Sequence, residues 1–219
     1  MLAFALSMSA CCSYPIPKSI EKSFTYRYDG KNTGIDTLIN IDGFYREKRG
    51  VCILQGTSIY YLDTVYSHFM FYDNGTYASG ISDIYYDDHK KKWIKKDDVS
   101  MFLKDFAENS EAPGANYFYG NNWGGYIICG DTIKVQGMYK ARSLNDSWYF
   151  HERWYKIIDK NTIQCINAVC FSDPAIFYPI PSKPPPDKSW ILRERWFWRN
   201  EADWKAYMEN LKNEKRKMK

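Results

Sequence analysis

The chain is short of histidine, has no paired-cysteine motif and carries no long apolar run beyond its first residues, and each shortage removes a class of function. Its three histidines, His68, His89 and His151, are not spaced with a second ligand as metal sites require. The six cysteines, Cys11, Cys12, Cys52, Cys129, Cys165 and Cys170, form no C-x-x-C pair, which excludes the common zinc and redox patterns. No metal and no cofactor are therefore expected. Past the N-terminus no stretch approaches the ~18 apolar residues of a membrane helix. G-x-S-x-G, H-E-x-x-H, a phosphate-binding glycine loop and a dinucleotide fingerprint are all missing, so the chain reads as non-enzymatic.

Charge of one sign is scarce too, except at one end. Thirty basic and 26 acidic residues give a net +4, and the segment from Lys205 to Lys219 alone carries that whole excess. A nucleic-acid binder needs a basic face on its folded domain, and a short basic tail does not supply one. No nucleic-acid partner is expected.

Aromatic residues are abundant. Nineteen Tyr, 12 Phe and eight Trp make 18% of the 219 residues, a composition that favours strands, where flat rings pack on a pleated surface. At this length one principal all-β domain with tails is the simplest organisation.

The opening "MLAFALSMSACC" reads as an export signal: an apolar run from Leu2 to Leu6, then small residues. Met8-Ser9-Ala10-Cys11 resembles the lipobox of bacterial lipoproteins, and the resemblance implies that Cys11 is lipidated and becomes the mature N-terminus. It implies an extracytoplasmic protein of the bacterial cell envelope, on the outer-membrane or periplasmic face, held to the membrane by a lipid anchor. Residues 1–11 are then the signal segment, and 12–39, with early prolines and later turn residues, a tether. Among the remaining cysteines one disulfide is compatible with an oxidising compartment. Cys129 and Cys165 fall in apolar strand patterns and read as small buried hydrophobes.

A repeated grammar follows. In "FMFYDNGTY", Phe69 and Phe71 alternate with Met70 and Tyr72 before Asp73-Asn74-Gly75, a turn signal. "WGGYIICGDTIKVQ" sets Tyr126 and Ile128, then Ile133 and Val135, about Cys129-Gly130-Asp131-Thr132, and "YKIIDKNTIQC" repeats the arrangement about Asp159-Lys160-Asn161-Thr162. Each polar turn separates two strand-like runs, which predicts a meander of neighbouring antiparallel strands. With Gly43-Phe44-Tyr45 entering a first strand, these segments resemble the lipocalin-like domains of short lipoproteins from Bacteroides-type bacteria, over about residues 40 to 170. The resemblance implies an antiparallel up-and-down β-barrel or strongly bent sheet with an internal cavity.

The expected β domain spans 40–180 with an insertion over 87–122. In the insertion "DDHKKKWIKKDD" reads as a solvated charge run, and Val99, Phe102, Leu103 and Phe106 have helical spacing behind Asp98. Residues 181–219 form a proline-rich spacer and an aromatic and basic helical segment. There Asn200 and Asp203 mark a helix start, and Trp204, Tyr207, Met208 and Leu211 form a stripe.

For function, the sharpest local feature is the cluster Tyr117, Tyr119, Asn121, Asn122 and Trp123. Rings beside amides suit a small apolar or saccharide-like ligand, while core packing of the same rings is the plainer alternative. Trp190, Trp196 and Trp198 are expected to close one end of the barrel. His151-Glu152 has the residue types of an acid-base pair, but neighbours on a strand point to opposite faces. Asp87-Asp88 and Asp97-Asp98 resemble paired hydrolase carboxylates, yet the lysines between them favour mutual ion pairing. The expectation is a ligand-binding lipoprotein barrel. The alternatives are a structural or assembly lipoprotein with a filled barrel, and a carboxylate-based envelope hydrolase.

Overall fold

Alternation of inward and outward side chains organises the protein. A computed structural model describes residues 16–55, 58–82, 84–87, 92–95, 123–140, 148–181, 183 and 185–217. Ten strands are described: β1 (Gly43–Gln55), β2 (Ser58–Phe71), β3 (Thr76–Ser82), β4 (Ile84–Asp87), β5 (Lys92–Lys95), β6 (Trp123–Cys129), β7 (Thr132–Lys140), β8 (Trp148–Asp159), β9 (Thr162–Cys165) and β10 (Ala175–Pro179). Eight of them close an antiparallel barrel in the order β1-β10-β9-β8-β7-β6-β3-β2. The barrel strands follow one another in chain order, with β3 pairing β6 across the separate β4–β5 pair, and β10 closes onto β1 from Gly43↔Pro179 to Arg46↔Ile176.

The three turns predicted from sequence fall where expected, at 72–75, 129–132 and 159–162. At the first, Gly75 has φ 89°, a conformation that a side chain would strain. The insertion opens differently from the expected charge run. Lys92–Lys95 pairs with Ile84–Asp87 as a separate two-stranded hairpin, and the predicted helix behind Asp98 lies outside the described residues.

Two apolar layers result, one on each face of the barrel wall. The inner layer contains Tyr45, Phe69, Phe71, Tyr77, Tyr126, Ile133, Val135, Tyr155, Ile163 and Ala175. Its rings touch at ordinary aromatic distances, with centroids 4.9 Å apart for Phe69 and Tyr155 and 5.5 Å for Phe71 and Tyr126. Ile35, from a short 3-10 turn at Ile35–Thr37, and Ile39 just after it join this layer fully buried and stop one end of the barrel. That end is further tied by the Tyr45 hydroxyl, which donates to the Asn40 and Lys160 carbonyls at 3.0 Å each.

The outer layer contains Phe24, Phe44, Met70, Tyr72, Ala78, Trp123 and Met138 with Ile191, Leu192, Phe197 and Trp198. Here the segments before β1 and after β10 wrap the barrel and pair with each other. Tyr28 N–H donates to the Phe197 carbonyl at 2.9 Å, and Arg199 N–H donates to the Tyr28 carbonyl at 2.8 Å. Residues 16–39, expected as a tether, are thus packed over much of their length, with Phe24, Ile35 and Ile39 fully buried. Trp190, Trp196 and Trp198 belong to this outer layer, so the expectation that they close a barrel end is corrected: Ile35 and Ile39 do so.

Helix α1 (Lys18–Ser23) precedes the barrel and α2 (Glu201–Lys217) ends the described chain. Asn200 Oδ1 accepts from Ala202 N–H at 2.8 Å, the capping bond its sequence position predicts. The stripe docks on the wrapping segment: Trp204 Nε1 donates to the Arg193 carbonyl at 3.0 Å and the Tyr207 hydroxyl to the Asp187 carbonyl at 2.7 Å.

Candidate functional site

Following the inward positions up each strand, away from Ile35 and Ile39, leads from rings to charges. On β1 the inward series is Tyr45, Glu47, Arg49; on β2 it is Phe71, Phe69, Ser67, Val65; on β8 it is Ile157, Tyr155, Arg153, His151. The period of two places them on one face, and the register puts Glu47 opposite Ser67 and Arg153 opposite Val135. A polar band therefore crosses the barrel interior above the aromatic floor.

Glu47 is fully buried and is the acceptor at the centre of this band. Arg153 Nη1 donates to Glu47 Oε2 at 3.4 Å, and the Ser172 hydroxyl donates to Glu47 Oε1. Ser172 comes from the β9–β10 connection, which lies along β1 through Gly50 N–H to the Phe171 carbonyl at 2.9 Å and Asp173 N–H to the Lys48 carbonyl at 2.8 Å. Arg49 Nε donates to the Ser67 hydroxyl. Among the described side chains the band holds two guanidinium groups, Arg49 and Arg153, and one carboxylate, Glu47, which is in ion-pair contact with Arg153.

The titrating groups respond to burial and to these charges. Burial and the nearby Arg153 and Arg49 charges push His151 down to about 3, so its imidazole is neutral at physiological pH. Burial and the like charge of Arg153 lower Arg49, against the pull of Glu47. For Arg153 burial acts downward, but Tyr155, Glu47, Tyr77 and Cys165 together outweigh it and raise the group. Tyr77 is pushed up to about 12, by burial first. His151 lies against the bare backbone of Gly137, where an added Cβ would sit 2.5 Å from the ring, so this glycine makes room for the imidazole.

The interior differs in access along its length. Ile35, Ile39, Tyr45, Phe69 and Phe71 are at most 1% exposed, whereas the Arg153 side chain is 22% exposed and Arg49, Ser67, Ser79 and His151 are half-buried. Solvent reaches inward-facing groups at this end. The same end carries exposed Ile166, Val169 and Phe171 on the β9–β10 connection.

Of the residues singled out from sequence, Tyr117, Tyr119, Asn121 and Asn122 lie outside the described residues. Trp123 is fully buried in the outer layer, stacked on Tyr72 with centroids 5.7 Å apart. His151 and Glu152 do point to opposite faces. Glu152 lies outside the barrel, where it accepts from Gln136 Nε2 at 2.7 Å and Trp154 Nε1 at 2.6 Å. The side chains of Asp87, Asp88, Asp97 and Asp98 lie outside the described set, as does Cys11. Cys165 is buried as expected, but Cys129 is exposed at its turn, a correction that follows from its place at the last position of β6. Cys170 is disulfide-bonded, with its partner outside the described side chains.

Sequence reasoning missed Glu47, Arg49 and Arg153. The signal was present in "FYREKRG": once Tyr45 is inward, period two makes Glu47 and Arg49 inward as well. Among the described residues no group of three or more His, Cys, Asp or Glu is placed to hold a metal, and no helix is long and apolar enough to cross a membrane. Comparison with known protein families, characterised proteins and solved structures gives no match.

Proposed function

We propose that the protein is a non-enzymatic, lipid-anchored barrel of the bacterial cell envelope that takes a small amphipathic ligand into the upper part of its interior. The observation that carries this reading is the asymmetry of the lumen: filled with rings and stopped by Ile35 and Ile39 at one end, polar and solvent-reached at the other. A barrel serving only as a scaffold gains nothing from charged side chains inside, since burying them costs free energy that apolar residues would not. Small-ligand sites combine a closed apolar wall with a few placed polar groups, which is the composition found here.

The lipidated anchor at Cys11 and the extracytoplasmic location rest on the lipobox-like Met8-Ser9-Ala10-Cys11. The disulfide at Cys170 supports an oxidising compartment. The family reading, a lipocalin-like lipoprotein domain, is supported by the closed eight-stranded meander. The structural or assembly reading draws its support from the filled lower half.

Native mass spectrometry of the protein isolated from its own envelope extract tests the choice. The expected result is a retained small mass in the parent that is lost when Val65→Trp fills the upper interior. An apo mass for both proteins would move the assignment to the structural role.

A further inference from the structure

From the charge asymmetry of α2 we infer that its second half is a membrane-contact surface, lying on the anionic phospholipid headgroups of a bilayer. Residues 201–210 carry Glu201, Asp203 and Glu209 against Lys205, a net −2, whereas Leu211 to Lys219 carry Lys212, Lys215, Arg216, Lys217 and Lys219 against Glu214, a net +4. The whole chain sums to +4, so those nine positions hold the entire excess and the rest sums to zero. The insertion over 88–122 is itself neutral, with six basic and six acidic residues, and offers this segment no net partner. The two halves also differ in what they touch. Among the described residues, the side-chain bonds and ring contacts tying α2 to the rest of the protein come from Glu201, Trp204 and Tyr207: Glu201 meets Arg195 at 3.8 Å, Trp204 the Arg193 carbonyl, and Tyr207 the Asp187 carbonyl and the Trp198 ring. Lys212, Arg216 and Lys217 are exposed. The acidic half docks and the basic half is presented outward.

Two features point to lipid. Met208 and Leu211 are half-buried, and Met208 lines one groove with Lys212 and Arg216. A helix that sets apolar side chains beside basic ones suits the membrane interface, where cations meet phosphates and apolar atoms enter the headgroup boundary. Nucleic acid would use the charges and leave the apolar groups idle. The second feature is position, and it rests on the lipid-anchor reading above. Ile16 and Ile20 pack on the same outer layer as Trp204 and Tyr207, and Glu21 of α1 lines a groove with Arg195 and Arg199 just ahead of α2. Ile16 is five residues on from Cys11, a reach of at most about 18 Å, so an anchor at Cys11 holds the α2 side of the barrel to the bilayer. Last-turn lysines also favour the negative end of a helix, but Lys212 stands more than a turn before Lys217.

Co-sedimentation of the full-length chain carrying Cys11→Ser, which has no acyl anchor, with vesicles of phosphatidylcholine alone or mixed with about one third phosphatidylglycerol tests the inference. The uncharged apolar start of the chain is present in every sample and cancels in the comparison. The anionic vesicles are expected to bind at least about tenfold tighter, and less so as salt rises. Lys212→Gln combined with Arg216→Gln should lower that binding about 25-fold, about fivefold for each charge, with helix content and melting temperature unchanged. Lys156→Gln combined with Lys160→Gln removes the same charge from exposed positions of β8 and its turn, and should change binding less than about threefold. Equal binding to the two vesicles overturns the inference, as does an equal loss in the two double variants, which would make net charge the cause. Loss of helix content in the α2 variant overturns it too, because the basic residues would then serve the helix itself. Tighter binding of a polyadenylate oligonucleotide than of the anionic vesicles reassigns the face to nucleic acid and overturns the lipid contact. The carrier reading, tested by its retained ligand mass, stands under each of these outcomes. An unmodified Cys11 in the envelope-isolated protein overturns the anchor reading alone.

Discussion

The lower and upper halves of the barrel are built from the same eight strands and the same alternation, yet they solve opposite problems. In the lower half, inward positions are rings and branched aliphatics packed against Ile35 and Ile39, and their burial favours folding. In the upper half, the same strands present Glu47, Arg49, Ser67, Arg153 and His151, whose desolvation opposes folding unless partners compensate. The difference teaches that the lower half sets stability and the upper half spends some of it on a polar surface that the fold does not need.

That division can be broken or sharpened by substitution. Phe69→Ala empties the centre of the ring cluster and is expected to cost about 3–5 kcal/mol in urea unfolding. A loss below 1 kcal/mol would show that the lower half is loosely packed. Glu47→Ala should cost nearly as much, about 3 kcal/mol, because it takes the carboxylate partner from the half-buried Arg153 and leaves the Ser172 hydroxyl without its acceptor. Arg49→Met, two positions along the same strand, should cost less, about 1 kcal/mol, since the described bond it removes is to the Ser67 hydroxyl. If both substitutions at the band proved equally damaging, Glu47 would not be the group on which the band depends.

Acid sensitivity gives a third measurement. His151 is held below its unfolded pKa of 6.5, down to about 3, so the unfolded chain binds a proton that the folded one refuses. Its contribution therefore leaves stability untouched above pH 6.5 and lowers it progressively as pH falls from there toward 3. Between pH 7 and 5 the parent should lose about 2 kcal/mol more than His151→Gln, read from paired urea titrations. Parallel pH profiles would show that burial and the Arg153 and Arg49 charges do not hold this imidazole neutral as described.

The last expected effect lies outside the barrel. Gln136 Oε1 accepts from the backbone N–H groups of Thr25 at 2.7 Å and Tyr26 at 3.1 Å, pinning the N-terminal wrap to β7. Gln136→Ala should cost about 1–2 kcal/mol and raise amide exchange at Thr25 and Tyr26. Exchange in the lower barrel, at Phe69 or Tyr155, should stay protected. Unchanged exchange at Thr25 would mean that the aromatic contacts of Phe24 hold the wrap without this amide.

Much of the wall was legible before any coordinates. Phe69 and Phe71 do face in and Met70 and Tyr72 out, and the turns at Asp73, Gly130 and Lys160 do join adjacent strands. The wrap was not legible, because Phe24, Ile35 and Ile39 sit among polar and turn residues with no periodicity to mark them. The polar band was only half legible. Arg49 in isolation reads as a surface charge on a strand, and its inward direction depends on the parity set by Tyr45.

By itself, then, the sequence determined the strands, the turns between them and the face each side chain takes, because period-two alternation and turn chemistry act between residues close in the chain. Tertiary structure alone decided that β10 closes on β1, that Ile35 and Ile39 stop one end, and that Glu47, Arg49 and Arg153 meet about a hundred residues apart in sequence. Those outcomes depend on closure of the whole sheet, which brings distant strands to opposite walls of one lumen. Local pattern carries no information about which charges will then face each other out of water.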